Sequence, residues 1–122
     1  DVTGFGVLGH GLEIARGSGL RLSIRADAVP FLAEAEGLAQ GGYITGASHR
    51  NWASYGAEVI LPVDFPDWRR LLLADPPTSG GLLIAVAGDR AEGVLSEIRQ
   101  AGYPAAAIIG TAGDGAPAIA VE

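Results

Sequence analysis

The chain has 122 residues, of which 48% are apolar and 18% charged, with a formal net charge of −6 and no cysteine. That length and balance predict a globular chain with one hydrophobic core, a single domain over residues 1–122. The missing cysteines exclude disulfides, thiolate nucleophiles and Cys-ligated zinc, and the acidic balance argues against unaided binding to nucleic acid or to an anionic membrane. No apolar run approaches the ~20 residues of a membrane span, and no basic-then-apolar targeting segment opens the chain. A reducing, cytoplasmic compartment fits this composition. An acidic chain that handles a polyphosphate needs a divalent cation between the two. The sequence opens on Asp1 and contains no methionine, so it is expected to be part of a larger polypeptide.

Phe5, Leu8, Leu12 and Ala15 recur at helical spacing from Thr3 to about Gly17, where Gly17 and Gly19 supply a stop. Leu20, Leu22 and Ile24 alternate with Arg21, Ser23 and Arg25, the pattern of a strand with one wet face. Asp27 and Pro30 are expected to open a second helix carrying Phe31, Ala35 and Leu38 on one face, ended by Gly41-Gly42. The stretch YITGASHRNWASYG is polar and aromatic and reads as a loop with a short helix. A short strand over 58–61 and a helix over 67–74 follow. DPPTSGG then introduces LLIAVA, an unbroken apolar run that suits a strand buried on both faces. Asp89 and Glu92 resemble a capping box for a helix that turns Val94, Leu95, Ile98 and Ala101 inward and stops at Gly102. Strands over 106–111 and 118–121, joined by a Gly-Asp-Gly turn, close the chain as a hairpin and point to a mixed sheet in an α/β domain.

Gly4, Gly6 and Gly9 spell GxGxxG, and Asp27 lies where a ribose-binding acid would sit. A dinucleotide loop, however, follows a strand and continues into regular strand–helix–strand units. The residues after Leu61 lack that rhythm, so close packing at a helix start is the alternative reading.

Three stretches together resemble the selenophosphate synthetase (selenide, water dikinase) family: DVTGFGVLGH, TGASHRNWASYG and DPPTSGGLLIAV. They occur in that family's order and span nearly the whole chain. The third departs from the pattern at Pro77, where the family usually has Gln; proline removes a polar side chain and a backbone donor. The resemblance implies the carboxy-terminal domain of such an enzyme, related to aminoimidazole ribonucleotide synthetase. Its fold is then an α/β/α layered α+β domain with a mixed sheet. The family reaction takes ATP, selenide and water to selenophosphate, AMP and orthophosphate, with Mg²⁺ neutralising phosphate oxygens. Its catalytic cysteine or selenocysteine and its essential lysine lie in an N-terminal ATP-binding domain outside these residues. No catalytic residue is therefore expected within this chain, and the 122 residues alone are expected to be inactive. The intact protein is expected to be a homodimer through that N-terminal domain.

By the same resemblance Asp1 is a magnesium ligand, its alternative reading being a helix cap or a terminal residue. Gly4 and Gly6 are candidate cofactor-binding positions, where the backbone turns tightly as the two domains face the nucleotide and a helix N-terminus adds partial positive charge near phosphate oxygens; close packing is their other reading. In the middle stretch, Arg50 is a candidate for bidentate anion contact and Asn51 for orienting that anion, against a solvated loop over packed Trp52 and Tyr55. His10 is expected to satisfy backbone groups at the helix start rather than to act as a general base. Thr78–Gly81 reads as a tight entry into a strand or as an anion-accepting nest. Asp67, Asp89 and Asp114 read as caps or turn residues. A sister synthetase or kinase of the purine or thiamine pathways, or a non-catalytic binding module, remain as other readings.

Overall fold

The computed structural model describes residues 1–122. The predicted apolar stripe forms α1 (Gly6–Ser18), whose Leu8, Leu12 and Ala15 are completely buried. Spaced four and three residues apart, they line one helix face, which lies against the sheet. The sheet contains β1 (Arg21–Ile24), β2 (Val59–Ile60), β3 (Gly110–Gly113) and β4 (Ala118–Val121) in the order β2-β4-β1-β3. β4 runs parallel to both β1 and β2, whereas β3 is antiparallel to β1. The mixed sheet and the α+β class are therefore as expected.

Strand alternation sets the core. Leu22 and Ile24 of β1, Ile119 and Val121 of β4 and Val59 of β2 are buried with the α1 stripe. Each such side chain is stabilised by ~1.5–3 kcal/mol relative to exposure. On the other face Arg21, Ser23, Ala118 and Ala120 are half-exposed and Ile60 is exposed. Behind α1 pack α3 (Gly46–Tyr55) and α4 (Asp67–Leu73), and the short α2 (Ala35–Gln40) packs on α4. Arg70 of α4 lies over the Trp52 ring of α3, 4.6 Å from its centre.

Several expectations are corrected. The second helix does not start at Pro30: residues 30–32 have no regular structure, a turn in which the Ala35 amide donates to the Leu32 carbonyl follows, and only Ala35–Gln40 is α-helical. The middle stretch is a ten-residue helix rather than a loop with a short helix, with Thr45 as its N-cap accepting the Ser48 amide. The two closing strands form no hairpin. β1 lies between them, Gly113 and Ala118 both sit opposite Arg21, and the link 114–117 passes over the end of that strand. The first of the two begins at Gly110, not Ala106.

LLIAVA is not a buried strand. No backbone hydrogen bond within the chain involves Leu82–Val86, and Leu82, Ile84 and Val86 are 70%, 53% and 40% exposed. α5 (Ala91–Gln100) is slightly shorter than expected, since Gly88–Arg90 form a 3-10 turn before it and Ala101 lies past its end, and it turns no residue fully inward: Val94, Leu95 and Ile98 are half-buried and Ala101 is exposed. Asp89 makes no capping bond there.

Candidate functional site

The three motif stretches, far apart in sequence, meet at the start of α1. α3 is the element that joins them. Its Ser48, Asn51 and Tyr55, three and four residues apart, form a buried stripe that is mostly polar. The Asn51 side-chain amide donates to the carbonyl of Gly4 at 3.0 Å and to that of Ala74 at 2.9 Å. The Tyr55 hydroxyl donates to the carbonyl of Phe5 at 2.7 Å. Ser48, with no exposed surface, donates to Asp75 Oδ1 at 2.8 Å, and Thr45 donates to the same oxygen at 3.2 Å. One helix face thus holds the opening loop and the end of α4 together. The third stretch joins directly, since the Val2 amide donates to the Gly81 carbonyl at 2.9 Å. At Gly80 any Cβ would overlap the Val2 carbonyl oxygen.

Burial pushes the Tyr55 phenol up from its ordinary value of 10.0 to about 12. A folded-state value above the unfolded one gives stability that is complete below the unfolded pKa and lost as pH rises through the folded pKa. Unfolding free energy is therefore expected to fall between about pH 10 and 12. Tyr55→Phe, followed by urea denaturation across that range, is expected to flatten the fall; an unchanged slope would sink the assignment.

The glycines of GxGxxG serve contacts within the chain. Gly6 has a left-handed φ of +67° and lies against the backbone of Ala74 and Asp75. Gly9 faces the ring of Tyr55, and Gly4 presents its carbonyl to Asn51. Arg50 and Asn51, adjacent in sequence, point to different surroundings. Arg50 is exposed and forms no ion pair, whereas Asn51 is buried and both hydrogens of its amide are committed to carbonyls.

Asp1 is exposed and shares a cavity of about 290 Å³ with His10, Glu13, Ile14 and Leu83. An exposed carboxylate at a cavity rim fits one position of a hard-cation site. No three His, Asp or Glu side chains of the chain converge as a metal centre, so the remaining oxygens would come from a phosphate ligand, water or other protein groups. His10 satisfies the helix start as expected, its Nε2 taking the Phe5 amide at 3.4 Å. Sequence reasoning does not single out Thr45, Ser48 and Asp75 and takes Tyr55 only as a packed ring; the spacing of 48, 51 and 55 is the signal that marks the shared face.

The family model for the AIR synthase related protein C-terminal domain matches residues 1–121. The chain is 64% identical over 121 residues to a protein of Rhizobium meliloti (strain 1021) named selenide, water dikinase, covering 99% of this chain and 35% of that protein. Proteins of the same name from Burkholderia pseudomallei (strain K96243) and Pseudomonas straminea are 50% and 48% identical, covering 100% and 99% of this chain and 34% of each relative. The chain thus spans about a third of the length of these relatives.

Proposed function

Because the chain belongs to the AIR synthase related protein C-terminal domain family, we propose that it is the C-terminal domain of a selenide, water dikinase. The intact enzyme would use ATP, selenide and water to make selenophosphate, AMP and orthophosphate. The observation that carries the reading is the 64% identity to a protein of that name across 99% of the chain. It is supported by the meeting of the three motif stretches at one loop.

In this reading Asp1 supplies one carboxylate oxygen to magnesium at the interdomain cleft, and magnesium when bound neutralises charge on the phosphate oxygens. The chain's own residues hold that carboxylate in place. Asn51 and Tyr55 fix the carbonyls of Gly4 and Phe5, and Gly6 lets the loop lie against the end of α4. Asn51 therefore acts on the loop, leaving Arg50 as the side chain free to meet a phosphate or a neighbouring acidic group. An N-terminal ATP-binding domain carries the nucleophile and the lysine, and dimer formation runs through that domain. In the same reading the intact enzyme works in the cytoplasm; no helix of this chain is long and apolar enough to cross a membrane.

Phosphorus NMR of the intact polypeptide with ATP and Mg²⁺, with and without selenide, tests this reading. Selenide-dependent AMP and a selenophosphate resonance are expected, and their loss in Asp1→Ala. ATP turnover to ADP that ignores selenide would instead place the chain with a sister kinase or synthetase of the same family.

A further inference from the structure

Beside Asp1 a hydroxyl, an imidazole and a carboxylate stand in a row. Thr3 Oγ1 lies 3.2 Å from His10 Nε2, and His10 Nδ1 lies 2.8 Å from Glu13 Oε2. A second donor, the Phe5 amide, aims at the same Nε2 from 3.4 Å. Neutral imidazole has one donor and one acceptor nitrogen. The Phe5 N–H has only its hydrogen to offer, so Nε2 must be the acceptor. Glu13, an acceptor when ionised, needs the hydrogen on Nδ1. All three contacts agree on a single tautomer, Nδ1–H, in which Thr3 donates its hydroxyl to Nε2.

The arrangement is more than an exposed i,i+3 pair. The His10 side chain is 16% exposed against 57% for Glu13, and its ring packs beside that of Phe5 with centroids 5.8 Å apart. Thr3 and Phe5 are themselves exposed, and Asn51 and Tyr55 reach only as far as the Gly4 and Phe5 carbonyls. His10 is the side chain that reaches Thr3, two residues from Asp1.

We infer that His10, oriented by Glu13, is a positioning residue that fixes the Asp1–Phe5 loop and so sets where the Asp1 carboxylate stands on the cavity rim. The inference rests on the reading of Asp1 as a metal ligand. Residues that orient a ligand from behind typically account for about 10–100-fold in metal affinity.

The test uses the intact polypeptide, with Mn²⁺ as the probe and electron paramagnetic resonance to count free ion. Gln at position 10 retains an acceptor at the place of Nε2, whereas Asn retains only a group facing Glu13. His10→Asn is expected to weaken Mn²⁺ binding about tenfold and to speed hydrogen exchange at the Phe5 amide, while His10→Gln restores both towards wild type. Nitrogen chemical shifts of His10 are expected to report Nδ1–H. An Nε2–H tautomer overturns the inference, as do unchanged Mn²⁺ affinity and Phe5 exchange in folded His10→Asn. If that variant does not fold, Thr3→Val removes the hydroxyl donor at an exposed position. Weaker Mn²⁺ binding there supports the inference and unchanged binding overturns it. Asp1→Asn separates the two levels. If it leaves Mn²⁺ affinity intact, the ligand reading of Asp1 fails, and the positioning role is then judged on Phe5 exchange alone.

Discussion

Asn51→Leu is expected to lower the stability of the folded chain by about 3 kcal/mol, because a residue of similar size removes both donors of the central clamp. The Ala74 carbonyl suffers most. Ala74 has no exposed surface, so its oxygen loses its Asn51 partner where water does not replace it. Leaving such a group unsatisfied costs ~1–3 kcal/mol, and the more open Gly4 carbonyl adds a smaller share. Trp52 and Trp68 flank the clamp on α3 and α4 and give a fluorescence signal for urea denaturation. The midpoint is expected to fall with the slope unchanged. Ser54→Ala, exposed on the same helix, is the control and is expected to stay within ~0.5 kcal/mol of wild type. A loss in Asn51→Leu no larger than in the control would mean that the opening loop is held by packing and not by the amide.

α3 also shows why part of the site was hidden in the sequence. Apolar periodicity revealed α1, and alternation revealed β1, because their buried faces are apolar. The buried face of α3 is Ser48, Asn51 and Tyr55, so a search for an apolar stripe finds none. Burial of such a face is tolerable only because every donor meets an acceptor on the opening loop or at the end of α4. Those acceptors are backbone carbonyls and one carboxylate, none visible from the sequence of the helix itself. His10 was legible at the helix start, whereas its link to Glu13 required the helix to place them one turn apart.

The sheet order is hidden in the sequence for a different reason. Gly-Asp-Gly between two apolar runs is a strong hairpin signal. Here β1 occupies the space between the two strands, and its partners lie 86 to 97 residues away in sequence, a pairing that no local pattern encodes. LLIAVA likewise has the composition of a buried strand, but a strand also needs a neighbouring backbone. The four-stranded ladder forms without it, which leaves Leu82, Ile84 and Val86 exposed, while Val94, Leu95 and Ile98 of α5 are only half-buried.

Gly6→Ala and Gly19→Ala separate two reasons for glycine at the ends of one helix. Both residues have φ +67°, so alanine meets the same left-handed strain at each, ~1–2 kcal/mol. Around Gly19 nothing lies within 4 Å of an added Cβ, and strain is the whole expected cost. At Gly6 the Cβ would sit 2.7 Å from the Ala74 carbonyl carbon and 2.9 Å from the carbonyl oxygens of Ala74 and Asp75. These are backbone atoms with no rotamer to escape into, so the loop or α4 must move, at a further ~1–3 kcal/mol. That movement draws the Ala74 carbonyl away from Asn51 and the Phe5 carbonyl away from Tyr55. Gly6→Ala is therefore expected to destabilise the chain well beyond Gly19→Ala in the same urea titration, and to weaken Mn²⁺ binding in the intact polypeptide where Gly19→Ala does not. Equal losses at the two positions would show that the opening loop does not depend on its close approach to α4, and the glycine at position 6 would then be needed for its φ alone.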